Sequence, residues 1–126
     1  MASARKTSNQ NLIPPWLPML WRLAVVVALI LGLLLLFGVL PSGAAIQGIH
    51  MLFGIVLLGS IWYACARTLG RPPGTFLLVA AILTLVGAIL GGIFQGNGGP
   101  WMNVLHPLLM VAAVALAEMA MTRRAR

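Results

Sequence analysis

Four side chains in this sequence can do chemistry among otherwise apolar neighbours: His50, His106, Glu118 and Cys65. An imidazole can ligate a metal ion or carry a proton, a carboxylate can carry a proton or pair with a cation, and a thiol can ligate or be oxidised. His50 and His106 are the only histidines, Glu118 the only acid and Cys65 the only cysteine. A lone cysteine cannot close an intrachain disulfide, and Cys65 reads as a buried thiol. Whether the two imidazoles can act together depends on the elements that carry them.

Those elements are apolar to an unusual degree. Of 126 residues, 61% are hydrophobic and 7% are charged, where a soluble domain carries roughly 25% charged residues. This excludes an ordinary soluble domain, a disordered chain and a collagen-like one. The apolar residues fall into four blocks of about 20, the length needed to cross a hydrocarbon core of about 30 Å. The blocks run from about Trp21 to Leu40, Ala44 to Ala66, Thr75 to Phe94 and Met102 to Met121. Pro41-Ser42-Gly43, Gly70-Arg71-Pro72-Pro73-Gly74 and Gln95-Gly96-Asn97-Gly98-Gly99-Pro100 punctuate them. Short connections make neighbouring helices antiparallel. The expected fold is therefore all-α, a single polytopic domain over 1–126 with four transmembrane helices in an up-down bundle (about 21–40, 44–66, 75–94 and 102–121). Residues 1–18 form an N-terminal tail.

The net charge of +7 on a soluble protein would suggest a nucleic-acid partner, but position assigns it to the bilayer instead. Arg5, Lys6 and Arg22 precede or open the first block, Arg67 and Arg71 lie between the second and third, and Arg123, Arg124 and Arg126 follow the fourth. The other connections carry no charge, so all cations share one side, both termini are expected to be cytoplasmic and the location is the cell membrane. Trp16, Trp21, Trp62 and Tyr63 near that side, and Trp101 near the other, read as an aromatic belt. Ser42-Gly43-Ala44 is a passable signal-cleavage site, but about eighteen apolar residues exceed the usual 7–15 of a signal peptide, so the first block is expected to remain a helix.

The bundle places the histidines. His50 lies about six residues into the second helix and His106 about four into the fourth, roughly 6–9 Å below the outer boundary at 1.5 Å per residue. These helices run in the same direction, so two imidazoles at matched depth can face each other. Two neutral imidazoles on facing helices can supply both axial ligands of a haem iron, with the ring filling the bundle centre. Gly32 and Gly38 in the first helix, Gly54 on the His50 face, and the Gly87-x-x-x-Gly91 pattern followed by Gly92 in the third let helix backbones or a flat ligand approach closely. A structural zinc site wants four ligands, and neither a third His nor an acid lies at this depth; Cys65 is some 22 Å away along its helix. The bland alternative is two interfacial histidines bonded to backbone carbonyls or water. No Lys or Arg lies on the outer side to pair with propionates, leaving Gln47, Asn97, Asn103, Trp101 or solvent. Met110, on the His106 face, and Met51 are substitute ligands or core filling. If Asn103 is the N-cap of the fourth helix, Pro107 falls in or just past its first turn, where a lost backbone bond is tolerated.

The stretch Gln47-Gly48-Ile49-His50, the Gly91-Gly92 end of the third helix, the Gly/Asn loop and the run Val104-Leu105-His106-Pro107-Leu108-Leu109 resemble one four-helix half of a haem A synthase. The resemblance covers about residues 20–122. In that family the second and fourth helices of each half carry a His near the outer surface, so it implies that His50 and His106 are axial haem ligands. Where the family has a Glu three residues before the first His this chain has Gln47, and where an Arg commonly follows that His it has Met51. The resemblance therefore implies binding of haem b, or of a modified haem, without oxidation of a haem methyl group. A half-sized version is also expected to pair with itself or with another subunit.

Glu118, about 18 Å beyond His106 along the helix, is expected to pair with Arg67, Arg71 or Arg123. The leading expectation is a b-type cytochrome subunit, an electron-transfer protein rather than an enzyme, in a larger membrane redox assembly. Its haem contacts are His50, His106, Gln47, Gly54, Gly87, Gly91, Trp101 and Met110. The alternatives are a non-haem structural subunit of a membrane complex and a small proton-coupled transporter relying on Glu118.

Overall fold

A computed structural model describes residues 12–71, 74–93 and 99–124 of the chain. It contains four helices, α1 (Trp16–Leu36), α2 (Ala44–Thr68), α3 (Gly74–Ile93) and α4 (Gly99–Arg124), and no strand among the described residues. Each is long and apolar enough to cross a membrane, as the sequence predicts, and the chain is a multi-pass membrane protein. Arg5, Lys6, Arg126, Asn97 and most of the N-terminal tail lie outside the described residues.

The helix ends differ from expectation for local reasons. α1 opens five residues earlier than predicted, at Trp16, directly after Pro15 and with Pro18 in its first turn. Proline fits there because its fixed φ is helical and the first-turn N–H groups have no intrahelical partner; Pro14, Pro15 and Pro18 initiate α1 rather than delay it. α1 also ends earlier, at Leu36. Gly38 takes φ +68°, with Val39 N–H donating to Leu34 O at 2.9 Å and Gly38 N–H donating to Leu35 O at 3.2 Å. This is a Schellman stop, whose left-handed position suits glycine. Gly38 is thus a terminator, not a helix-packing residue. α4 begins three residues earlier than predicted, at Gly99, so Asn103 is inside the helix and Pro107 is in its interior. The carbonyl of Asn103, four residues before the proline, loses its helical donor there.

Each helix packs against its sequence neighbours, and α4 returns to α1, so the bundle closes in the order α1-α2-α3-α4 with α2 and α4 on a diagonal. The α1–α4 seam is the least extensive of the four. Burial is confined to one half of the bundle's length. Trp21, Leu57, Ile61, Leu77, Ala113 and Ala117 are almost wholly inaccessible, whereas no described residue between Leu29 and Val56 or between Ala88 and Leu109 is fully buried. The packed half is rich in alanine, which lets helix backbones approach closely where lipid supplies no hydrophobic drive. Its hydroxyls are satisfied within their own helices: Ser60 donates to Leu57 O, Thr68 to Ala64 O and Thr84 to Ala81 O. The other half is where the helices stand apart.

Arg22, Arg67, Arg71 and Arg123 all belong to the packed end. Trp16, Trp62, Tyr63 and Trp101 are exposed, as a belt requires. Trp21 is an exception to the expected belt. It is completely buried, and its indole Nε1–H donates to Glu118 Oε1 at 2.8 Å. The same carboxylate accepts from Arg22 Nε at 2.7 Å and from Arg22 NH2 at 2.6 Å. Glu118 therefore pairs with Arg22 across the α1–α4 seam, and not with Arg67, Arg71 or Arg123. Arg22 lies in the second turn of α1, on the side of that helix that meets Glu118 of α4. Arg67 instead packs against Tyr63, and Arg123 lies 4.5 Å from the centre of the Phe76 ring.

Candidate functional site

The less packed half encloses a partly open cavity of about 650 Å³ to which all four helices contribute. That is within the ~300–1,000 Å³ range of small-molecule and cofactor sites. Its wall is chiefly aliphatic, with His50, His106, Gln47 and Asn103 as nitrogen-bearing side chains and Met51, Met102 and Met110 as thioethers. Glycines take the place of bulk at the cavity, and a Cβ added at Gly54 would meet nothing within 4 Å.

The two imidazoles meet in this cavity. Their ring centroids are 6.1 Å apart and their planes are inclined by 65°. His50 Nδ1 lies 2.9 Å from the Ala28 carbonyl oxygen of α1, and His106 Nδ1 lies 2.7 Å from the Gly87 carbonyl oxygen of α3. A carbonyl only accepts, so each Nδ1 carries the proton and donates it. Each Nε2 is then the nitrogen with the lone pair, the tautomer of a metal-ligating histidine oriented through its other nitrogen.

Each ring also rests on a glycine. A Cβ at Gly32 would fall 3.0 Å from His50 Cε1, and one at Gly91 would fall 2.6 Å from His106 Cε1. In both cases the accepting carbonyl lies four residues, one helical turn, before the glycine: Ala28 before Gly32 and Gly87 before Gly91. The α1–α2 hairpin and the α3–α4 hairpin thus build the same device, a histidine on the even helix seated on a glycine and tethered to a carbonyl of the odd helix. The sequence shows this only as two small-x-x-x-small patterns at matching depth, of which the one at Gly87-x-x-x-Gly91 is noticed and the one at Ala28-x-x-x-Gly32 is not. The backbone acceptors leave no other trace in side-chain types.

Of the remaining candidates, Gln47, Gly54 and Met110 line the cavity. Gly87 contributes its carbonyl, and a Cβ there would meet Met110 Sδ and Cε at 3.3 Å. Trp101 is 83% exposed and is not among the lining residues. Glu118 and Cys65 belong to the packed half, away from the cavity. Among the described residues there is no group of three or more His, Cys, Asp and Glu side chains able to hold a metal ion, so the imidazoles of the cavity amount to the one pair, His50 and His106. Two neutral imidazoles would supply a bound ion with two nitrogen ligands, and the rest of its coordination would have to come with the ion.

No protein-family model, no curated protein and no solved structure matches the chain.

Proposed function

We propose that this protein is an integral membrane cytochrome of b type, with one haem b held between His50 and His106. The observation that carries the reading is the pair of Nδ1–H donations to Ala28 and Gly87, which leaves two neutral Nε2 atoms on one cavity. The spacing agrees with it. The ring centroids of His50 and His106 are 6.1 Å apart, close enough for both imidazoles to serve one bound group as ligands. A haem iron alternates between ferrous and ferric forms, which is the one-electron chemistry such a site supplies.

The chain's own groups set what the site does. His50 and His106 ligate, the Ala28 and Gly87 carbonyls hold their tautomers, and the aliphatic wall lowers the local polarity. Gln47 is neutral where an acid–base step would need a carboxylate. This favours electron transfer over chemistry on the macrocycle, in keeping with an electron-carrying subunit of a larger membrane redox assembly or a homo-oligomer. Following the cation bias, the arginine-bearing end and both termini face the cytoplasm and the cavity lies toward the outer leaflet of the cell membrane. The transporter reading draws no support from Glu118, whose carboxylate is engaged by Trp21 and Arg22. A haem titration of the detergent-purified chain tests the proposal: saturation at one haem per chain is expected, and absence of saturable binding would overturn it.

A further inference from the structure

Resting on that reading of the cavity, we propose that Gly32 and Gly91, together with the carbonyls of Ala28 and Gly87, are positioning groups that hold the two imidazole planes steeply crossed. The observation is the 65° between the rings. Each ring has two constraints. His50 is tethered through Nδ1 to Ala28 O at 2.9 Å and has its Cε1 nearest Gly32, 3.0 Å from where a Cβ would stand; His106 is tethered to Gly87 O at 2.7 Å and lies closer still to Gly91, at 2.6 Å. One hydrogen bond leaves a ring free to swing about the bond, whereas a bond and a backbone contact together fix both its direction and its rotation. The tethers come from α1 for one ring and from α3 for the other, so the angle between the rings follows from how two hairpins pack and not from the ligands' own preference.

Crossed ligand planes have an electronic consequence. The filled π orbital of an imidazole raises the iron d orbital that lies perpendicular to its plane. Parallel imidazoles raise the same orbital and split the dxz/dyz pair widely; steeply crossed ones raise different orbitals and leave the pair close in energy. The single unpaired electron of low-spin ferric iron then keeps much of its orbital momentum. The expected mark is a highly anisotropic low-spin signal dominated by one large g value, in place of the three well-separated g values of parallel ligands. The protein levers here are the orientation of the axial ligands and the groups that hold them.

The test is low-temperature electron paramagnetic resonance of the full chain loaded with haem b and oxidised. The single large-g signal is expected. A three-g rhombic spectrum from haem ligated by both histidines would overturn the inference while leaving the cytochrome reading intact, and a chain that takes up no haem would overturn the reading itself. A second measurement uses His106→Gly supplied with free imidazole, which ligates without a tether to Gly87. Conversion to the rhombic spectrum is expected; an unchanged large-g signal would show that the tether does not set the angle. Gly32→Ala adds a check that keeps both ligands. Its Cβ must displace the His50 ring by a few tenths of an ångström, so the large g value should move, and an unaltered signal would overturn the role given to the glycine.

Discussion

His50 of α2 and His106 of α4 stand on diagonal helices with centroids 6.1 Å apart, each donating its Nδ1 proton to a backbone carbonyl of a different neighbouring helix. No element joins them directly. Their relation is set by α1 and α3, which supply the carbonyl and the glycine against which each ring rests.

The glycines should tolerate a methyl group unequally. At Gly91 a Cβ would lie 2.6 Å from His106 Cε1 and 2.7 Å from Nδ1, while at Gly32 the nearest ring atom is 3.0 Å away. Overpacking of this kind costs about 1–3 kcal/mol. Gly91→Ala is expected to lose haem affinity and thermal stability in detergent, and Gly32→Ala to lose less of both. Equal losses, or a larger loss at Gly32, would contradict the contact geometry.

Glu118 should matter for stability and not for the haem. Trp21 is completely buried and its indole N–H depends on the carboxylate. Leaving a buried donor unsatisfied costs about 1–3 kcal/mol. Glu118→Ala is expected to lower the thermal midpoint, and Glu118→Gln, which keeps an acceptor, to lower it less, both with an unchanged haem spectrum. A spectral change in Glu118→Gln would place the carboxylate in the site.

Topology can be read with reporters. A fusion after Arg126 should report from the cytoplasm, and a cysteine introduced at Ser42, between α1 and α2, should react with a membrane-impermeant thiol reagent added outside intact cells. Reversed labelling would overturn the orientation drawn from the arginines.

The reduction potential should be raised by its surroundings. The cavity wall is largely aliphatic and none of its lining residues is an acid, so for a haem bound there the oxidised, more positive iron would be disfavoured. A redox titration is expected to give a potential above that of a bis-imidazole haem in water. A value well below it would contradict the account.

Much of this was legible in the residues alone. Four spans follow from apolar runs of membrane length, and the matched depth of His50 and His106 follows from the constant rise of a helix, because both facts depend only on position along the chain. What depends on rotation about the helix axis was not legible. These helices are apolar nearly all round, so no polar stripe tells which side faces inward. For that reason the sequence points Trp21 to the belt although it is buried, and Glu118 to Arg67, Arg71 or Arg123 although it binds Arg22. Proline and glycine misled in another way. Pro15 and Pro18 open α1 five residues before the apolar block begins, and Gly38, which reads as a packing residue, ends it. The carbonyls of Ala28 and Gly87 carry no side-chain signature at all.

The most direct test of the central claim is the visible absorption spectrum of the detergent-purified, haem-loaded protein, oxidised and dithionite-reduced, recorded beside His50→Ala and His106→Ala. The parent should show a Soret band that shifts on reduction with the sharp bands of six-coordinate low-spin haem, and each variant should lose that low-spin form. A parent that remains colourless with haem supplied, or a low-spin spectrum that survives both substitutions, would contradict ligation by His50 and His106.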